Sequence, residues 1–259
     1  MKINSMVEEI ENHIFNIINR PIINLDLAGI LFVAACSNFH QGKEDYLKLQ
    51  SRIKSLKSDI EKNRLDGETF TPEFKTSMFS KLCELELLYE PVVRHFSSAK
   101  ILAVNSAEAY INEVAGCELK GKQFDEFDKL SLVGKWLFLP PLLKISKRFS
   151  HDKNPLQGFV TLVKERNKLV HFKGSRVTLN NPELPNFLES FNLTPSSCKA
   201  NIENVKTMIK ELSLSWVGSY GPDWLNALNK AEFRRPCFYI AARNCPTNLF
   251  SEKVDPPLS

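Results

Sequence analysis

The chain has 259 residues, 43% of them hydrophobic and 25% charged, with a formal net charge of +4. These proportions exclude a disordered, collagen-like or low-complexity polypeptide and supply enough apolar material for one large core or two small ones. A pI near 8.6 tolerates a polyanionic partner but falls short of the value above about 9 that marks a dedicated nucleic-acid domain. Only ten glycines are present, which argues against open parallel sheets with glycine-rich phosphate turns and in favour of helices.

At the N-terminus, acids arrive before any apolar run, so no secretory signal is expected. The longest apolar run, Leu27 to Ala35, is about half of the roughly 20 residues a membrane helix needs. Cys36, Cys83, Cys117, Cys198, Cys237 and Cys245 are scattered, with no C-x-x-C pair. They read as reduced, mostly buried thiols, which points to a cytoplasmic protein without a membrane partner.

Helical periodicity dominates the chain. Val7, Ile10, Ile14, Ile17 and Ile18 recur at three- and four-residue spacing up to Pro21. Leu27 to Phe39 reads as a buried helix ended by Gln41-Gly42, and Leu49, Ile53, Leu56 and Ile60 mark a second amphipathic stripe. A polar loop over 66–72 follows, with Thr71-Pro72 as a helix start. The next helix carries Phe74, Met78, Leu82, Leu85, Leu88 and Val92, so residues 43–96 predict an antiparallel helical hairpin.

From Ser98 the pattern renews with Ile101, Val104, Ala107, Tyr110 and Val114, up to Gly116. A further helix over about 128–139 is expected to break at Pro140-Pro141. Asn154-Pro155, an N-cap with proline at the first helical position, opens a helix from Leu156 to about Phe172. Residues 177–195 read as loop. Ile202, Val205, Ile209 and Leu212 mark a last helix, and an irregular aromatic-rich extension over 216–259 follows. Phe238-Tyr239-Ile240 is the best strand signal, too short to make a sheet.

Gly116 to Lys122 matches G-x-x-x-x-G-K, but Gln123 stands where Ser or Thr would reach magnesium, and the segment follows a helix instead of a strand. Both counts argue against nucleotide hydrolysis by this loop. No H-E-x-x-H or clustered Cys and His appears, so no metal and no cofactor is expected.

The informative segment is Glu165-Arg166-Asn167-Lys168-Leu169-Val170-His171. Asn167 and His171 are four residues apart and share a helix face. Arg166 sits about 140° round the helix from His171, close enough for a long side chain near a fraying end. A guanidinium grips two phosphate oxygens and an imidazole exchanges a proton near neutrality, so the pair suits phosphodiester chemistry. Lys168, Lys173 and Glu108 are substrate-binding candidates. Solvated surface pairing is the expected state of Glu108 and of Glu165, the latter with Lys168 or Arg166. Arg234, Arg235 and Arg243, interleaved with aromatics, read as a solvated edge with the chemistry to stack and pair with RNA.

Arg-Asn-Lys-Leu-Val-His resembles the R-N-x-x-x-H signature of HEPN domains, and the helix over 103–113 and the Lys135-to-Pro140 segment resemble the helices preceding it. The resemblance covers roughly residues 97–215, under half the chain. It implies a HEPN-type helical bundle over 97–215; the helical region over 1–96 and the irregular extension over 216–259, read from periodicity and composition, lie outside it and complete an all-α architecture. It implies a metal-independent endoribonuclease acting on RNA as a homodimer. Arg166 would then polarise the scissile phosphate, His171 transfer a proton, and Asn167 orient the histidine or touch the phosphate. The resemblance extends to toxins and antiviral effectors with an antitoxin or defence-system partner, and to members that bind nucleotides or RNA, or regulate a partner, without catalysis.

Overall fold

The computed structural model describes residues 26–65, 71–171, 186–217 and 222–229. Regular structure there comprises α1 Leu27–Leu65, α2 Pro72–Glu118, α3 Lys122–Asp128, α4 Leu132–Leu142, α5 Leu156–Val170, α6 Asn186–Ser190, α7 Pro195–Val217 and a 3-10 helix over Asp223–Asn229. No strand occurs among the described residues, so the all-α expectation is met. From Leu27 onward these elements belong to one compact unit. Among the described residues no helix is long and apolar enough to cross a membrane. The helix expected over Val7–Ile18, the strand candidate at Phe238, the arginines at 234, 235 and 243, and Lys173 lie outside the described residues.

α1 and α2 form an antiparallel hairpin longer than their stripes predict. Asp45 meets His95 at 2.9 Å, Lys81 meets Asp59 at 2.6 Å, Arg52 pairs with Glu84, and Ser106 Oγ donates to the Ala28 carbonyl at 2.7 Å. Thr71 caps α2 as expected, its hydroxyl accepting from the Phe74 amide at 3.2 Å with Pro72 behind it.

Neither expected interruption of these rods exists. α1 runs straight through Gly42, which is buried; a Cβ there would lie 2.8 and 2.9 Å from Cδ1 and Cε1 of Phe96. The glycine is therefore where the α1 backbone touches a fully buried ring, and it ends nothing. α2 passes through Pro91 and through residues 96 and 97, where the sequence places the start of the bundle. Val92, Phe96, Ala99, Ala103, Ala107 and Ile111 make one unbroken buried row across that point. Burying a Val and a Phe at about 1.5–3 kcal/mol each offsets the ~3 kcal/mol that an interior proline costs.

Trp136 of α4 is wholly buried, with its ring centroid 5.5 Å from Phe149 and 6.3 Å from Phe159 of α5. α4 carries Pro140 and Pro141 inside its last turn instead of stopping before them. The amides of Leu143, Lys144 and Ile145 bond back to the carbonyls of Leu139, Pro141 and Pro140, so the chain closes the turn from its far side. The 3-10 helix seats Trp224, 4% exposed, against Phe32 at 5.3 Å and Tyr110 at 6.4 Å. This part of the extension is core.

Candidate functional site

α5 carries the motif, and its start and end follow from local chemistry. Pro155 stands at the N-cap and not at the first helical position expected of it, so α5 begins at Leu156; Asn154, one residue further out, accepts through Oδ1 from the Gly158 amide at 3.2 Å. Leu156, Phe159, Leu162 and Glu165 are its buried residues, one every three positions. At Gly158 a Cβ would overlap the Asn204 side chain of α7, so the absent side chain lets the two helices close on each other. The helix ends at Val170. His171 is the C-cap, and its amide donates to the Asn167 carbonyl at 3.0 Å, which stacks His171 one turn above Asn167.

Glu165 corrects the expectation of a surface acid. It is 7% exposed and pairs neither with Lys168 nor with Arg166. Its Oε2 meets Lys100 Nζ of α2 at 2.8 Å and accepts from Asn201 Nδ2 of α7 at 3.0 Å, while Oε1 accepts from Asn192 Nδ2 at 2.5 Å. Lys100, 1% exposed, also donates to the carbonyls of Phe191 at 3.1 Å and Asn192 at 2.8 Å. All three ammonium donors and both carboxylate oxygens are therefore used, which is what a buried ion pair requires to persist. Cys198 lies in the same region of α7, and burial pushes its thiol up to about 12.

Arg166, next along the helix, turns toward α2. Its Nη2 approaches Glu108 Oε2 at 3.8 Å, a Coulombic contact too long for a hydrogen bond. Its Nη1 donates to Asn167 Oδ1 at 3.0 Å, and its Nε is buried without an acceptor. The Glu108 and Arg166 side chains are 40% and 26% exposed, so Glu108 does take the half-solvated pairing expected of it. Asn167, Lys168 and His171 are exposed. Among the described residues the His171 ring has no hydrogen bond to Arg166 or Asn167.

The structure thus brings Arg166, Asn167 and Glu108 together and leaves His171 and Lys168 on the adjoining open surface. Lys164 is also exposed, so the last two turns of α5 present Lys164, Arg166, Lys168 and His171 while their own acid points inward. Such an end attracts a polyanion. A guanidinium with an exposed amide beside it and an exposed imidazole at the same helix end are groups that can bind a phosphodiester.

Lys100, Asn192 and Asn201 are absent from the residues singled out in the sequence. A signal for Lys100 exists: it falls in the row Val92, Phe96, Ala99, Ala103, Ala107, where a lysine is rare unless paired. Asn201 sits likewise between Cys198 and Ile202. Asn192, in a turn with φ of 52°, has no such signal. No group of three His, Cys, Asp or Glu able to hold a metal ion occurs among the described residues. No family model matches the chain, and neither a curated protein nor a solved structure matches it.

Proposed function

We propose that the chain is a HEPN-type endoribonuclease that cleaves RNA without a metal ion, with Arg166, Asn167 and His171 as the reacting set and a second copy completing the cleft. The observation that supports this reading is the sorting of charge on α5: Glu165 is paired inside, and Lys164, Arg166, Lys168 and His171 stand at its outer end, where Glu108 is the one acid paired with them among the described residues.

In this reading the RNA 2′-OH attacks the adjacent phosphorus. Arg166 takes the non-bridging oxygens in its planar fork, with Asn167 Oδ1 steadying that fork from the side. His171, exposed as the C-cap of α5, exchanges the proton of the attacking or leaving oxygen. One copy offers few cations to a polyanion, and two copies facing each other would double the field. A toxin or defence role, with a matching inhibitor, belongs to the same proposal.

A binding or regulatory module without catalysis is the second reading. It draws support from Arg166, which already faces Glu108 in a Coulombic contact and donates to Asn167 Oδ1. Incubating the protein and its His171→Ala variant with total cellular RNA separates the two. Cleavage that persists in EDTA, leaves 2′,3′-cyclic phosphate and 5′-hydroxyl ends, and disappears in the variant is expected, from a particle of twice the 29.6 kDa chain mass. RNA retained intact favours the binding module. A 5′-phosphate product, or a strict requirement for magnesium, removes Arg166 and His171 from these roles.

A further inference from the structure

α5 touches α2 through two ion pairs of opposite order made by consecutive residues. Glu165 reaches Lys100, and Arg166 reaches Glu108. Their partners are eight residues apart on α2, about 12 Å along its axis at 1.5 Å per residue. Consecutive side chains on a helix diverge by about 100°, so holding Glu165 inward sets the rotation of the whole last turn. Arg166 then lies along α2 and Asn167 faces solvent. Lys100 also binds two carbonyls of the turn before α7, and Glu165 binds Asn192 and Asn201, so three separate stretches of chain converge on this one pair.

We propose that Lys100 and Glu165 are positioning residues: the buried pair fixes the last turn of α5 against α2 and the start of α7, and so presents Arg166 and Asn167 in a single orientation. Neither residue touches the open surface, so neither meets substrate. A well-packed helix of this length would hold together with apolar residues at both positions, since buried pairs can be replaced by hydrophobic side chains without loss of stability. What the pair adds is direction: its hydrogen bonds are met in one rotation and register, whereas apolar contacts give way more gradually under a small slip. The proposal rests on the ribonuclease reading for its kinetic consequence and on geometry alone for its structural one.

The test compares Lys100→Met, Glu165→Gln and the double variant in the full chain. Each single change strands a buried charge and lowers the melting temperature. The double removes both charges and regains much of the loss. Cleavage should behave differently. In the double variant kcat should remain about 10- to 100-fold below the parent, as for a reacting group displaced by about 1 Å, with KM within about twofold. A double variant that cleaves at the parental rate overturns the proposal. So does a series in which kcat simply follows melting temperature. If the parent and His171→Ala are equally inert toward RNA, the ribonuclease reading fails, and amide hydrogen exchange judges the positioning by itself. Exchange across 166–171 should quicken about tenfold in the double variant while the centre of α2 is unchanged; unaltered exchange refutes it.

Discussion

Gly42→Ala is a substitution whose sign separates two pictures of the N-terminal rod. In an exposed helix interior, alanine is favoured over glycine by about 1 kcal/mol, and if Gly42 merely closed a helix by an ordinary turn the change would be mild. In the structure α1 is unbroken at this position, and the new methyl would stand 2.8 and 2.9 Å from two ring carbons of Phe96 and 3.2 Å from His95 Cβ. Phe96 is 0% exposed, with the Tyr46 ring 6.2 Å from it on one side, so it has no free space into which to turn. Restoring an ordinary contact requires α1 and α2 to separate by several tenths of an ångström over the neighbouring turns. Overpacking of this kind costs about 1–3 kcal/mol, which exceeds the propensity gain. After that gain the expected net loss is up to about 2 kcal/mol, or a fall of up to roughly 8 °C in melting temperature for a chain of this size. Thermal unfolding followed by far-ultraviolet circular dichroism measures it, and Gly42→Ala combined with Phe96→Leu should show coupling between the two sites. A rise in melting temperature for Gly42→Ala would refute the close approach.

Burial raises the Asp45 carboxyl, but hydrogen bonds from Lys48 and His95 outweigh it and hold the group below the usual carboxylate range. Because the folded value lies below the unfolded one, about 3.9, its contribution is complete above that pH and is lost as pH falls through the folded value. Asp45→Asn should therefore cost about 1 kcal/mol near neutrality and progressively less below pH 4, read from melting temperature against pH; a difference that stays constant down to pH 2 contradicts it. Burial pushes the thiols of Cys36 and Cys198 up to about 12, whereas Cys83 is exposed, so peptide mapping after maleimide treatment of the native protein should find Cys83 modified and those two intact. Labelling of Cys198 at the rate of Cys83 would show that the interior around Lys100 opens. Arg166→Lys retains the charge but not the fork, and cleavage should drop about 10- to 1000-fold with the melting temperature unchanged; parental cleavage would reduce Arg166 to a general electrostatic contact.

Much of the helical framework is legible because its signals are local. Thr71-Pro72 states where α2 begins through a bond spanning three residues, and Asn154-Pro155 locates the start of α5 to within one residue. The motif lies on the helix expected to carry it, with Asn167 and His171 one turn apart. Glycine and proline mislead here for a reason that is also physical. Each is a weak point only in isolation, and at Gly42 and Pro140 the packing across the pair of helices, or bonds closing from the following turn, outweighs the local cost.

The amino-acid sequence alone therefore determines that this chain is helical, which faces of its helices are apolar, and that an arginine, an amide and a histidine share one helix end. Tertiary structure alone decides that Glu165 turns inward to Lys100, 65 residues away, and that Arg166 turns toward Glu108. The row Leu156, Phe159, Leu162, Glu165 places the acid on the buried face, but nothing within one turn shows whether a carboxylate there turns inward or reaches out to solvent. The distinction comes from the lysine that another helix brings within 2.8 Å, and from the loss of water that makes a pairing worth little at the surface decisive inside.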